Sequence, residues 1–318
     1  MADSVHVLNN YYLSITLLVT IAYQLFFFAI AYSLKFDKVT DFAGGTNFVV
    51  LAVLTLALSC TPDARQIVAS ALVAAWGLRL SLFLLYRVTR TGKDDRFDGT
   101  RDRFLPFLGF WAFQMLWVWA VSLPLTVLNS PAVRAYQPQA LPPFGTGRDI
   151  AGAVLFGVGF AVESASDAQR LAFRARNDRE AVCDAGFFAW CRHPNYFGEI
   201  LIHFVGQASN ALYATILGPC FLTILLLFVS GLPLSERPGA KKRYEEGLNW
   251  DAYRRYLNRT SILIPFPPQI YERVPIFLKR TVFLEFPMYV FDPAKHSDAV
   301  QDRRAAEGDD RNSLTNGA

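Results

Sequence analysis

The stretch YYLSITLLVTIAYQLFFFAIAYSL, Tyr11 to Leu34, decides the fold class, because it holds no Asp, Glu, Lys or Arg. About 20 apolar residues wound as a helix cross the roughly 30 Å hydrocarbon layer of a bilayer, and this run exceeds that length. It is also longer than the apolar core of a signal peptide, and no Lys or Arg precedes it, so it reads as a retained first span. The rest of the chain agrees. Of 318 residues, 53% are hydrophobic and 14% aromatic, against 18% charged. That is the balance of an integral membrane protein.

Further apolar stretches predict spans at about 47–59, 67–86, 104–128, 150–173, 195–209 and 212–234. With 11–34 they make an all-α, polytopic membrane helical bundle of about seven transmembrane helices. The 47–59 and 195–209 stretches are short for a straight crossing and predict tilted or hairpin-forming helices. One integral membrane domain is expected over 1–291, with an interfacial or cytosolic helix at 239–257. A polar, unpatterned tail at 292–318 is expected to be disordered. The Pro-rich connection at 129–147 reads as a surface loop.

Cytosolic connections of membrane proteins carry the excess of Lys and Arg. Here the basic residues fall after the first span (Lys35, Lys38), after the third (Arg87, Arg90, Lys93, Arg96, Arg101, Arg103), after the fifth (Arg174, Arg176, Arg179, Arg192) and after the last (Arg237, Lys241, Lys242, Arg243). Seven spans put all four clusters on one face, with the N-terminus lumenal and the C-terminus cytosolic. The net charge of +4 is small, and no nucleic-acid partner is expected. Cys60, Cys183, Cys191 and Cys220 form no CxxC pair and join no His cluster at ligand spacing, so neither a disulfide framework nor a metal site is indicated.

Ionisable residues inside apolar spans are expensive and therefore candidates for function. Arg79 lies inside the third span, although a long arginine can also snorkel to the interface. Glu163, Asp167, Arg170 and Arg174 recur at offsets of four, three and four near the end of the fifth span, which places them on one helical face. This stripe is either a self-satisfied ladder of ion pairs or the lining of a ligand site. In AWCRHPNYFGE, Ala189 to Glu199, Pro194 suits the first turn of a helix. Arg192 and His193 at that N-terminus favour an anion such as a diphosphate. Tyr196 fits an interfacial anchor, but Asn195, Glu199 and His203 lie one and two turns further in. Arg237, Lys241, Lys242 and Arg243 followed by Trp250, Tyr253 and Tyr256 suit either an anionic lipid surface or an adenosine phosphate. Together these features predict an anionic, adenosine-like cosubstrate from the cytosol and an apolar partner from the bilayer.

At these residues the chain resembles the membrane proteins related to the steroid 5-alpha-reductase C-terminal domain, in the DUF1295 branch. The resemblance rests on WGLRL (Trp76–Leu80), Arg87, GKDDRF (Gly92–Phe97), SDAQRLAFR (Ser166–Arg174), GFFAWCRHPNYFGE (Gly186–Glu199) and NWDAYRRYLNRTSILIPFPP (Asn249–Pro268). It implies an NADPH site at Asp167, Arg174 and Asn195, with Arg237 and Tyr253. Arg170, Arg192, His193, Tyr196 and Glu199 are added to the cofactor set from the residue reading, and Trp76, Arg79 and Glu163 are expected near the substrate. Where the steroid reductases carry a Tyr at the substrate ketone, this chain has Trp76, whose indole N–H is no useful acid. Nor does 47–60 hold an Asp or Glu to act as a partner carboxylate, so the catalytic group is unassigned. The expected function is NADPH-dependent reduction of a carbon–carbon double bond in an apolar enone-type lipid, sterol or polyprenyl substrate, in the endoplasmic reticulum membrane. The alternatives are an S-adenosylmethionine-dependent lipid or isoprenylcysteine-type methyltransferase and a non-catalytic sterol-binding protein.

Overall fold

A computed structural model describes residue 5 and residues 7–36, 38–60, 62–91, 99–135, 143–203 and 216–295. Its helices are α1 (Leu13–Ser33), α2 (Val39–Leu58), α3 (Ala64–Thr91), α4 (Phe104–Leu128), α5 (Pro131–Ala135) and α6 (Gly147–Arg176). Then come α7 (Phe187–Trp190), α8 (Pro194–His203), α9 (Leu217–Ile224), α10 (Leu232–Glu245), α11 (Trp250–Arg259), α12 (Pro268–Tyr271) and α13 (Ile276–Thr281). A π-helical turn, Leu225–Val229, follows α9 directly. There is no strand among the described residues, and the protein is all-α.

Among the described residues, six helices are long and apolar enough to cross a membrane by length and composition: Leu13–Ser33, Val39–Leu58, Ala64–Arg90, Phe104–Val133, Gly147–Arg176 and Leu217–Glu245. The protein is an integral membrane protein. The second span is a full-length helix rather than a short one, because helical structure continues back through the polar Thr40, Asp41 and Thr46. At the expected 195–209 span, α8 ends at His203, and 204–215 lie outside the described residues. The expected 239–257 helix is two helices. Gly247 and Asn249, both with positive φ, separate α10 from α11. GKDDRF at 92–97 and most of the tail, 296–318, also lie outside the described residues.

The chain divides into two compact units, 1–165 with 197–224, and 166–196 with 225–318. In the first, α1 packs on α2 and α4, α2 on α3 and α4, and α9 on α4. Burial in α1 follows Thr16, Thr20, Gln24, Phe28 and Ala31, whereas Leu18, Leu25 and Phe26 face outward. Lipid tails are as apolar as leucine, so packing and hydrogen bonding, rather than escape from water, choose the inner face of such a helix. Gln114 donates from Nε2 to Gln24 Oε1 (2.9 Å), and Gln24 donates to Asn47 Oδ1 (3.0 Å), tying α4, α1 and α2 together. Small residues set the α2–α3 crossing: a Cβ on Gly77 would lie 2.9 Å from the Gly45 carbonyl oxygen. The same holds for α6 and α8, where a Cβ on Gly159 would meet the Gly198 carbonyl at 2.7 Å.

The second unit is held by backbone pairing between two of the quoted motifs. Arg192 N–H donates to the Ser261 carbonyl (2.8 Å), His193 N–H to Ile262 (3.2 Å) and Phe266 N–H to Trp190 (3.0 Å). Gln169 braces the start of α7, donating to the Ala185 carbonyl (2.6 Å) and accepting from Phe187 N–H (3.1 Å). Gly186 has φ 57°, and a Cβ there would meet the Gln169 amide at 2.6 Å, so glycine fits on both counts. Arg243 closes the turn around 179–181, donating to the Ala181 carbonyl (2.9 Å) and lying over the Tyr253 ring at 4.8 Å.

Candidate functional site

The three residues expected near a substrate meet in the first unit. Glu163, from α6, accepts from Trp76 Nε1 at 3.1 Å and from Arg79 Nη1 at 2.5 Å, both on α3. The Trp76 and Glu163 side chains are buried. WGLRL therefore works as a unit: Gly77 lets α3 approach α2, while Trp76 and Arg79, three residues apart, converge on one carboxylate. Sequence reasoning placed these residues together but did not pair them. A carboxylate also lies in the second span once its true start is known, because Asp41 accepts from Arg87 Nη2 at 3.4 Å.

Trp76 lines a cavity together with Phe48, Leu72, Phe156, Ile202 and His203. About 1100 Å³ of space is left unfilled, its open mouth included. The walls are mainly apolar, as in small-molecule sites generally. Arg65 and Asp149 also line it and pair bidentately, at 2.7 and 3.0 Å. His203 packs edge-on against Trp76, with centroids 4.6 Å apart and ring planes at 85°.

In the second unit Arg192 is 5% exposed and sits between two carboxylates, Glu236 on Nη1 and Glu285 on Nη2. Glu236 also accepts from His193 Nε2 at 2.6 Å, and Glu285 accepts from the Tyr271 hydroxyl at 2.7 Å. The His193 ring stacks on Tyr196, with centroids 5.0 Å apart. Arg170 donates to the Arg192 carbonyl (3.4 Å) and lies over the Phe188 ring at 4.7 Å. The expectation that Arg192 turns its charge toward an external anion is corrected here. Both of its terminal nitrogens are engaged by carboxylates of the same chain, and Arg192 is the hub of an internal ion network.

Burial holds the His193 imidazole below its ordinary value, against the pull of Glu236, and a neutral ring follows. Because a carboxylate can only accept, Nε2 carries the proton and Nδ1 the lone pair. Burial also pushes the Tyr253 phenol up to about 12 and the Cys191 thiol up to about 12, so neither ionises near neutrality. Among the described residues of this unit, five buried side-chain atoms make no hydrogen bond: Arg192 Nε, His193 Nδ1, Asn195 Oδ1, Thr260 Oγ1 and Ser261 Oγ. They cluster where 191–193 pairs with 261–262. Buried polar atoms are rarely left so, and such a group calls for a polar ligand or ordered water.

Asp167, Arg170, Arg174, Arg192, His193, Asn195, Tyr196, Arg237 and Tyr253 all belong to the second unit, with Arg174 and Arg237 exposed and Asp167 half-buried. Glu199 belongs to the first, where its backbone carbonyl receives His203 Nδ1 at 2.8 Å. The unit boundary cuts the stripe on α6 between Glu163 and Asp167. Sequence reasoning missed Glu236, Glu285 and Tyr271. One signal for Glu236 was present, a carboxylate a few residues past an apolar run, but SERP at 235–238 reads as the end of a span, whereas α10 continues through it. Among the described residues no group of three or more His, Cys, Asp or Glu is placed to hold a metal ion.

Residues 27–260 match the family model described as a protein of unknown function, DUF1295. No curated protein and no solved structure matches the chain.

Proposed function

The chain belongs to the DUF1295 family, and we propose that it is an NADPH-dependent membrane oxidoreductase that reduces a carbon–carbon double bond of an apolar lipid of enone, sterol or polyprenyl type. The observation that carries this reading is the set of unpartnered buried polar atoms along 192–195 and 260–261. Acceptors at His193 Nδ1 and Asn195 Oδ1, hydroxyls at Thr260 and Ser261, and a donor at Arg192 Nε suit a ligand rich in both donors and acceptors, as a dinucleotide is. The guanidinium groups of Arg174 and Arg237 are exposed, and guanidinium is the side chain that binds phosphate in a bidentate fashion.

NADPH, when bound, supplies the hydride. In this reading the chain does the rest. Asp167 accepts from a ribose hydroxyl and Asn195 Oδ1 from an amide N–H. Arg192 and His193, locked by Glu236 and Glu285, hold the 191–195 segment in place rather than touching the ligand's charge. In the first unit, the cavity beside Trp76 takes the apolar substrate and excludes water. The Trp76 N–H, already given to Glu163, serves to position rather than to protonate.

The positions of the basic residues support an N-terminus in the lumen and a C-terminus in the cytosol, and we assign the protein to the endoplasmic reticulum. The test of the nucleotide is thermal stabilisation of the purified protein. NADPH is expected to raise the unfolding temperature, and Asp167→Ala and Asn195→Ala are expected to abolish that rise. Stabilisation by S-adenosylmethionine and not by NADPH would overturn the reading in favour of a methyltransferase.

A further inference from the structure

We infer that the cavity of the first unit is a binding site for an apolar alcohol, whose hydroxyl donates to Nε2 of His203. The cavity is long and mostly apolar. It is lined by Arg65 and by Trp76 on the same helix, eleven residues apart, and at 1.5 Å per residue these stand about 16 Å apart along its axis. That span suits a fused-ring or isoprenoid skeleton rather than a small polar metabolite.

The polar groups on its wall decide which oxygen function such a molecule carries. His203 Nδ1 lies 2.8 Å from the Glu199 carbonyl oxygen. A carbonyl only accepts, so Nδ1 holds the proton and Nε2 is left with a lone pair. Nε2 makes no hydrogen bond among the described residues. Edge-to-face packing on Trp76 fixes the plane of the ring. Ser122 also lines the cavity, and its hydroxyl proton goes to the Val118 carbonyl at 2.6 Å, which leaves its oxygen as a second acceptor. The donor beside His203, the Trp76 N–H, goes to Glu163, and Arg65, which gives Nε and Nη2 to Asp149, stands about 16 Å along α3 from Trp76. A hydroxyl brings the missing proton to His203, while a ketone oxygen at the same place sets acceptor against acceptor. Unpaired polar groups in a desolvated pocket discriminate more sharply than a methylene does.

This inference rests on the proposed function in treating the cavity as the lipid site; of the substrate types proposed there it selects sterol and polyprenyl alcohols against enones, and it is read by binding alone, without nucleotide. Purified protein in detergent is titrated with matched alcohol, carbonyl and hydrocarbon forms of two skeletons: farnesol, farnesal and farnesene, and cholesterol, cholestenone and cholestene. The alcohol of at least one skeleton is expected to bind about tenfold more tightly than its carbonyl and hydrocarbon forms, the worth of one good hydrogen bond. His203→Phe, which keeps an aromatic ring against Trp76, is expected to erase that preference. His203→Gln, which retains a carbonyl acceptor, is expected to preserve part of it. Should His203→Phe not fold, the ranking on the unaltered protein decides. Equal affinities across both triplets, a preference for the carbonyl form, or an alcohol preference that survives His203→Phe would overturn the inference. Any of these results obtained alongside NADPH-dependent stabilisation would leave the reductase reading standing, and an alcohol preference without NADPH binding would do the reverse.

Discussion

At the scale of single residues, Glu163 and Arg192 each centre a buried charge network. Glu163 is shared by Trp76 and Arg79, and neutralising it takes a charged partner from a guanidinium that is 13% exposed. Glu163→Gln is expected to destabilise the protein by about 3–5 kcal/mol, the usual cost of breaking a buried pair. Adding Arg79→Met to Glu163→Gln is expected to recover part of that loss, because the charge that had paired with Glu163 goes too. Unfolding in detergent of both single variants and the double variant gives the coupling. His193 gives a pH dependence. Its imidazole is held below the ordinary value of about 6.5 by burial, so the unfolded chain binds its proton more readily than the folded chain. The stabilisation is complete above about pH 6.5 and drains away as the pH falls below it. The unfolding temperature is expected to decline from pH 6.5 towards 5, and His193→Gln, whose amide can still donate to Glu236, is expected to make that decline shallower.

At the scale of elements, close helix approach depends on glycines at two crossings. Gly77→Ala places a methyl 2.9 Å from the Gly45 carbonyl oxygen, and Gly159→Ala places one 2.7 Å from that of Gly198. Each is expected to cost about 1–3 kcal/mol, since neither neighbour is a flexible side chain. Gly157→Ala on the same helix as Gly159 meets open space and is expected to be neutral or slightly stabilising, which makes it the control for unfolding measurements. Elements are also where the sequence was most and least legible. The apolar run from Tyr11 shows α1 plainly because hydropathy alone carries that signal, and the third, fourth and fifth spans follow for the same reason. The start of α2 was hidden because Asp41, Gly44 and Gly45 look like a loop until their neighbours are known. The break between α10 and α11 depends on left-handed backbone at Gly247 and Asn249, which composition hints at but does not locate. The partners of Arg192 stand 44 and 93 residues away, so no local pattern could pair them. What the local sequence could reveal, it did, in the helix start at Pro194.

At the scale of the whole molecule, the proposed function assigns the apolar cavity of the first unit to lipid and the unpartnered polar atoms of the second to nucleotide. The proposed orientation has its own check. A glycosylation acceptor placed near the N-terminus is expected to be modified in microsomes, and one inserted after Lys295 to remain unmodified. The central claim is that hydride passes from NADPH to a lipid carbon. The most direct measurement is incubation of the purified protein with a membrane lipid extract and NADPH deuterated at the transferable position, followed by mass spectrometry of the lipids. The account predicts an apolar lipid heavier by about 3 mass units, one deuterium from the cofactor and one hydrogen from water, absent with Asn195→Ala. Stabilisation of the protein by NADPH with no deuterium entering any lipid would contradict it.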